Sequence, residues 1–185
     1  MSTPPSPGHS ARSPRWPVVV ELATTLTAPA PEVWARVTTP EGIQDELRPW
    51  VRMTMPPGLR GRTLQDAPAL LDRALGKAWL LLLGVLPVDY DDMRLVGYVE
   101  GRSFHERSRM LLLSVWEHER SVTPRQVCTD APAGGCVVTD RLTATARSPL
   151  ARIPGAAGVV RRIVTALFRH RHRRLSRRFG GPTRH

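Results

Sequence analysis

The chain has 185 residues, of which 41% are hydrophobic, and these values predict one globular domain with a substantial core. The formal net charge of +11 is concentrated late in the chain, because residues 141–185 hold twelve arginines and no acidic residue. The most apolar run, 78–86, is too short for a membrane-spanning helix, which needs roughly 20 residues. With no signal-peptide pattern either, the sequence excludes a helical membrane protein and predicts a cytoplasmic one.

The ends of the chain differ from its middle in composition. Residues 1–17 hold five prolines together with serine, threonine and glycine, which is typical of a disordered leader with little to bury. At the other end, two glycines and a proline at 180–182 stop the last predicted helix. We therefore predict a single domain over 18–179 and a flexible tail over 180–185.

The spacing of apolar residues changes along the chain, and each spacing predicts an element. Two helix starts are marked by proline and a polar neighbour: Pro31 with Glu32, and Pro40 after the capping residue Thr39. A continuous apolar run at 78–88 predicts a strand buried on both faces. The predicted elements are a strand at 18–27, helices at 31–37 and 39–47, a strand at 50–55, a helix at 66–75, strands at 78–88, 93–99, 103–110, 112–122 and 136–147, and a helix at 154–179.

The predicted last helix combines an apolar stripe with eight arginines. Its apolar residues recur at three- and four-residue steps, as a helix lying on a core requires. The arginines favour a phosphate-bearing partner, and the alternative is a solvated face that only aids solubility. Nucleic acid is disfavoured, because no aromatic residue interleaves the arginines and no known binding motif is present. The candidates for contact with an anionic membrane are Arg169, Arg171, Arg173, Arg174, Arg177 and Arg178.

Charged residues in the middle of three late strands indicate which face of the sheet is buried. With Phe104, Trp116 and Leu142 inward, the outer face presents arginines, glutamates and an arginine on adjacent strands: Arg107 and Arg109, Glu117 and Glu119, and Arg141. Cross-strand pairs of opposite charge are favourable, whereas the reversed register buries the charges and exposes the large apolar side chains. The sequence therefore predicts one register for these strands.

The same register turns four polar side chains inward. Burying such groups without partners is costly, so they either pair with one another or line a cavity that holds water or ligand. The four are Glu106, His118, Arg120 and Asp140.

The cysteines and the motif content predict no cofactor and no metal. Cys128 and Cys136 flank a segment that can turn a hairpin, but free thiols are favoured over a disulfide in a reducing cytosol. Without nearby histidine or cysteine they do not form a zinc site. Neither a Gly-x-Ser-x-Gly motif nor a phosphate-binding loop is present.

The order of these elements resembles the helix-grip fold of the SRPBCC superfamily, also called START or Bet v 1-like. That superfamily includes polyketide cyclase/dehydrase and lipid-transfer proteins. The matching stretches are ELATTLTAPAPEVWARV at 21–37, TTPEGI at 38–43 and GCVVTDRL at 135–142. The segment 84–120 is similar to an uncharacterised bacterial subfamily, and a helical insertion at about 60–77 departs from the superfamily pattern.

The resemblance implies an α+β fold in which a curved antiparallel sheet wraps around the long C-terminal helix, with two short helices after the first strand. It also implies a pocket for an apolar or amphipathic ligand between sheet and helix, with the insertion covering one mouth. Further candidates for its lining are Trp34, Met110, Val160 and Val164. The candidate ligand-binding residues are Trp79, Phe104, Glu106, Trp116, His118, Arg120, Asp140, Ile163 and Leu167.

Two functions follow from this resemblance. The first is a carrier for a hydrophobic small molecule or lipid, in which Arg120 or His118 holds an acidic or phenolic group. The alternative is a cyclase/dehydratase-type enzyme that uses His118 as general acid/base, oriented by Glu106 or Asp140. In that enzyme Arg120 would stabilise an enolate. We favour the carrier, and the deciding observation is whether the inward polar groups contact an open cavity or only one another.

Overall fold

A computed structural model describes residues 17–64, 66, 71, 73–125 and 134–181. Seven strands and four α-helices lie in these ranges, and the chain also forms a short 3-10 helix at Pro57–Leu59. The elements are β1 (Pro17–Leu26), α1 (Ala30–Val37), α2 (Pro40–Leu47), β2 (Val51–Met53), β3 (Ala74–Leu82), β4 (Leu86–Val99), β5 (Ser103–Met110), β6 (Leu113–Pro124), β7 (Cys136–Ala146), α3 (Ser148–Ala151) and α4 (Ala156–Phe179).

The seven strands form one curved antiparallel sheet in the order β1-β7-β6-β5-β4-β3-β2. The long helix α4 packs on the inner face against β1 and α2. This is the predicted helix-grip α+β fold, and the structure confirms it. The predicted register of the late strands is confirmed as well: Glu106 lies opposite His118, and Arg120 lies opposite Asp140. On the outer face, Arg107 Nε donates to Glu117 Oε1 at 2.7 Å.

The turn between α1 and α2 places α2 against the end of α4. Thr39 caps α2 by accepting a hydrogen bond from the Gly42 amide at 3.1 Å, and Pro40 takes the first helical turn. A side chain at Gly42 would lie 1.9 Å from the Arg36 carbonyl oxygen, so the two helices approach this closely only because Gly42 has none. One buried residue of α2 is Glu46, which therefore faces the interior.

The helix α4 begins after Gly155 and ends at Gly180, both of which have positive φ. Its end is fastened to the end of β1, where the Thr27 amide donates to the Gly180 carbonyl at 3.0 Å. Thr27 Oγ1 also donates to the Phe179 carbonyl at 2.9 Å. This attachment fixes the position of the last turns of α4 on the sheet.

The prediction of one buried strand over 78–88 is wrong. The run forms parts of β3 and β4 with a turn between them, in which Leu83 and Gly84 adopt positive φ. Glycine accepts this conformation, so the apolar run reverses direction instead of continuing. The turn residues are strongly exposed, with Val85 at 80%.

The predicted helix at 66–75 also needs correction. Ala74 and Leu75 belong to β3, as do the last residues of the insertion that was expected to be helical over about 60–77. Leu75 is buried at an irregularity in the pairing of β3 with β4, and this tertiary packing overrides the short helical pattern. Most of 65–72 lies outside the described residues.

Two further expectations fall partly outside the described residues. Cys136 is buried at the start of β7, but Cys128 is not described, so the state of the two thiols stays a prediction. The same holds for the Pro-rich leader and for most of the tail. Among the helices that the structure describes, none has the length and apolarity needed to cross a membrane.

Candidate ligand cavity

A cavity of about 260 Å³ lies between the inner face of the sheet and α4. Its wall is mostly apolar and includes Met53, Leu95 and Phe168. Ile163 and Val88, which also line it, are 62% and 43% exposed, so the cavity opens to the surface between α4 and β4. The charged or titratable residues in its lining are Arg62, Asp91, Glu106, His118 and Arg171.

The structure brings six of the nine predicted ligand-binding residues together in the lining of this cavity. They are Phe104, Glu106, Trp116, His118, Ile163 and Leu167, and Met110 joins them. Trp79 is a correction: it is 49% exposed and contacts Tyr90, because the inward positions of β3 are Ala78 and Leu80.

The other three secondary candidates for the lining belong to the apolar core instead. Trp34 packs between Tyr98 and Phe104, with ring centroids 5.8 and 6.4 Å away. Val160 and Val164 belong to the apolar cluster around Phe168.

Arg120 and Asp140 lie in a buried ionic network outside the cavity lining. Arg120 holds two carboxylates at once, each through two hydrogen bonds. Its Nη1 and Nη2 donate to Glu46 Oε1 and Oε2, both at 2.9 Å. Its Nε and Nη2 donate to Asp140 Oδ1 and Oδ2 at 2.7 and 2.8 Å. Such paired contacts are the strongest geometry for arginine and carboxylate.

The helix α4 adds two residues to the same network. Arg171 Nε donates to Glu46 Oε2 at 2.9 Å, and His172 Nε2 lies 2.9 Å from Asp140 Oδ2. His172 Nδ1 lies 2.7 Å from Thr24 Oγ1 on β1. We define the ionic network as Glu46, Arg120, Asp140, Arg171 and His172. It joins α2, β6, β7 and α4.

The network keeps its carboxylates ionised. Burial alone would raise the pKa of Asp140, but the charge and hydrogen bonds of Arg120 hold it well below its usual range. Burial likewise opposes ionisation of Glu46, and the guanidinium groups of Arg120 and Arg171 lower its pKa. The two guanidinium groups therefore balance the two carboxylates.

His118 connects the network to the cavity. Its Nε2 lies 2.8 Å from Asp140 Oδ1, and its ring meets Phe104 and Phe168 edge to face. Burial, together with the nearby guanidinium groups, lowers the pKa of His118 despite the carboxylate. The ring is then neutral near pH 7, and because Asp140 is ionised, Nε2 carries the proton and Nδ1 is the acceptor.

A second polar cluster lies in the cavity wall itself. We define the acid pair as Asp91 on β4 and Glu106 on β5, whose side chains hydrogen-bond to each other. Ser108 Oγ donates to Glu106 Oε1 at 2.9 Å. Burial and mutual repulsion raise the pKa of Glu106 well above its ordinary value, and burial raises that of Asp91 as well. Asp91 Oδ1 is buried and has no hydrogen-bond partner in the part of the chain that the structure describes.

The sequence prediction missed Asp91, Glu46, Arg171 and His172 as members of these clusters. A signal existed for Asp91, because it precedes Met93 and Leu95 by two and four residues on one face of β4. Arg171 was expected on a surface for membrane contact, and this is a correction: it is 6% exposed and bound to Glu46.

The remaining basic residues of α4 differ in their availability. Arg174 donates to the Asp45 carbonyl at 3.0 Å, and Arg178 lies 3.8 Å from the Asp45 carboxylate. Arg169, Arg173 and Arg177 are exposed.

Comparison with solved structures finds the same fold in proteins of low sequence identity. A START superfamily protein from Mycobacterium smegmatis aligns with a TM-score of 0.58 and 13% identity, covering 87% of this chain and 96% of its own. The protein XoxI from Bacillus cereus aligns with a TM-score of 0.61 and 12% identity, covering 91% and 99%. The di-domain ARO/CYC StfQ of the steffimycin biosynthetic pathway aligns at 0.59 and 14%, covering 85% of this chain and 49% of its own. These values establish a START-like fold.

Sequence comparison adds one family. A family model described as "Domain of unknown function (DUF8410)" matches residues 24–179. A search of curated proteins found no match.

Proposed function

This chain belongs to the DUF8410 family, whose description is a domain of unknown function, and we propose that it is a binding or carrier protein for a hydrophobic or amphipathic small molecule. The observation that carries the proposal is the cavity between the sheet and α4. An apolar wall with a few convergent polar groups is typical of small-molecule sites. The ligand would place its apolar part against Phe104, Trp116 and Leu167 and its polar part near Glu106 and His118.

The ionic network supports this role by fixing two helices that line the cavity. It joins α2 and α4 to each other and to the adjacent strands β6 and β7 through buried hydrogen bonds. Because Arg120 and Asp140 are occupied with each other and with Glu46, we assign them to this framework and not to ligand contact.

A cyclase/dehydratase-type enzyme is the second candidate, and one observation favours it. His118 lines the cavity, and Asp140 orients its ring. The unprotonated Nδ1 of the neutral ring is then suited to act as a general base. The similarity to the ARO/CYC StfQ concerns the fold alone. The sequence-based role of Arg120 as an enolate stabiliser has no support in the geometry, because Arg120 is 0% exposed and does not line the cavity.

The exposed arginines of α4 support an additional contact with an anionic membrane surface. Arg169, Arg173 and Arg177 carry this proposal, and each basic residue near such a surface contributes about 1 kcal/mol. A cytoplasmic location fits this role. Nucleic acid is not proposed as a partner.

Native mass spectrometry of the purified protein, followed by denaturing extraction, tests the carrier function. We expect a co-purifying small molecule in the wild type and its loss in Leu167→Trp, which fills the cavity from α4. Val159→Trp is the matched control, because Val159 lies on the same helix, is 57% exposed and does not line the cavity. A wild type that neither carries a ligand nor is stabilised by any apolar compound would contradict the proposal. Retention of the ligand by Leu167→Trp would do the same.

A further inference from the structure

The acid pair is the part of the cavity wall that protein contacts leave incomplete. Asp91 is 5% exposed, and its carboxyl group hydrogen-bonds to Ser108 and Glu106, but its Oδ1 has no hydrogen-bond partner within the described ranges. The oxygen belongs to a residue that lines the cavity, beside Glu106. A buried acceptor without a donor costs free energy, so a ligand that supplies the donor gains what the protein alone lacks.

The charges around the acid pair are also unbalanced. Arg171 is near enough to Glu106 to act against the rise in its pKa, but its guanidinium is hydrogen-bonded to Glu46, and Arg120 is occupied by Glu46 and Asp140. Asp89 and Asp92, on the same strand, add further negative charge near Asp91. Burial and the repulsion between the two carboxyl groups raise the pKa of both, so a carboxylate in this wall ionises against the surrounding negative charge unless a cation is supplied.

We propose that Asp91 and Glu106 form a subsite for a protonated amine, and that the ligand of this cavity is an apolar molecule with a basic amino group. The inference rests on the proposed ligand-binding function and specifies its ligand class. An ammonium group has three N–H donors and a positive charge, so it satisfies Asp91 Oδ1 and balances the pair at the same time. The apolar part of the molecule then extends along the wall toward Ile163 and Leu167.

Other head groups satisfy fewer of these requirements. A hydroxyl group supplies a donor to Asp91 Oδ1 but leaves the negative charge uncompensated. A carboxylate adds a third negative group beside Asp91 and Glu106. Its available cations in the wall are Arg62, which lies in an exposed segment, and Arg171, which already binds Glu46.

Three ligands with the same tail and different head groups test the subsite: decylamine, decanol and decanoate. Their affinities are measured at pH 7 by titration calorimetry, below the concentration at which they form micelles. We expect decylamine to bind roughly ten- to a hundred-fold more tightly than decanol, because a hydrogen bond to a charged group is stronger than a neutral one. The double variant Asp91→Asn/Glu106→Gln has neither carboxyl group, so it should remove the preference for decylamine over decanol. Asp92→Asn, on the same strand but not in the cavity lining, should retain it.

The outcomes separate this inference from the proposed function. If decanol binds and decylamine is no tighter, or if decanoate is tighter than both, the amine subsite is wrong and the carrier function stands. If none of the three ligands binds, the carrier function fails and the amine subsite fails with it. A preference for decylamine that survives in the double variant Asp91→Asn/Glu106→Gln also overturns the subsite.

A melting temperature without ligand distinguishes a binding role from a structural one. Asp91→Asn removes a buried charge that lacks a donor, so the variant should melt at a higher temperature than the wild type. A lower melting temperature would show that the carboxylate holds the sheet together, and it would overturn the subsite.

Discussion

The inner face of the sheet carries two buried polar clusters that differ in one respect. In the ionic network, Arg120 donates four hydrogen bonds to Glu46 and Asp140, and the two arginines match the two carboxylates in number. In the acid pair, two carboxyl groups lie together, and Asp91 Oδ1 has no partner in the described structure. A buried cluster in which hydrogen bonds and charges are matched serves as a structural framework. A buried cluster with an unmatched acceptor and unmatched charge is where we expect a function.

The largest expected effect comes from breaking the ionic network. Arg120→Met leaves Glu46 and Asp140 buried without their counter-charge, so the free energy of unfolding should fall by about 3–5 kcal/mol. Urea denaturation monitored by tryptophan fluorescence measures this loss. A decrease of less than about 1 kcal/mol would mean that water replaces the guanidinium group and that the network does not act as a framework.

Removing a carboxyl group from the acid pair should increase stability, and the increase should depend on pH. The pKa of folded Glu106 is raised above its ordinary 4.5, so the folded protein keeps a proton that the unfolded chain releases above that pH. Its contribution to stability is complete below pH 4.5 and is lost as the pH rises through the folded pKa. Glu106→Gln stays neutral and should lack this loss, which raises its stability near pH 7 by about 1–3 kcal/mol relative to the wild type.

Melting temperatures across the pH range check this prediction and contrast the two clusters. The pKa of Asp140 is held well below 3.8, so its contribution is present above that value and is lost as the pH falls through the folded pKa. Glu106→Gln should therefore keep the wild-type decline in acid and lose only the decline toward neutral pH. Parallel curves for the two proteins would show that folding does not raise the pKa of Glu106.

A smaller effect is expected from the hydroxyl group that contacts the pair. Ser108→Ala removes the hydrogen bond to Glu106 Oε1, so the unfolding free energy should decrease by about 1 kcal/mol. The same variant in a Glu106→Gln background measures the coupling between the two residues in a double-mutant cycle. A coupling energy of zero would remove Ser108 from the cluster.

The smallest effect belongs to the exposed ion pair on the outer face. Arg107→Gln removes the hydrogen bond to Glu117. The Arg107 side chain is 62% exposed, so the substitution should change the free energy of unfolding by less than about 1 kcal/mol. It is the matched control for Arg120→Met, since both remove an arginine from the same pair of strands. Equal losses for the two variants would mean that burial is not what makes the network important.

Much of the fold could be predicted because local patterns and charges were consistent. The order of elements followed from helix-start signals and strand alternation, and the register followed from the charges at Arg107 and Glu117. The hairpin of β3 and β4 was missed because Gly84 interrupts an apolar run that otherwise reads as one strand. The exposure of the hairpin tip depends on tertiary packing, which the spacing of apolar residues along the chain does not reveal.

The candidate site could be predicted only in part, because its members are far apart in sequence. Glu46 lies 74 residues from Arg120, and no local pattern joins α2 to β6. The spacing of Arg171 indicated a buried position, but the arginines around it suggested an exposed one. It follows Val164 and Phe168 and precedes Leu175 at steps of four, three and four residues, so it occupies the buried stripe of α4. Its identity as one of eight arginines suggested the solvent instead.

The attachment of α4 to β1 has a consequence for how the protein is made. Thr27 bonds to the Phe179 carbonyl across 152 residues, and β1 pairs with β7 and not with its neighbour in sequence. During synthesis the first strand therefore leaves the ribosome long before its partners exist. Its apolar residues Val18, Val20 and Leu26 stay uncovered until β7 and α4 have been translated. We expect this domain to fold late in translation, with chaperone binding concentrated on β1.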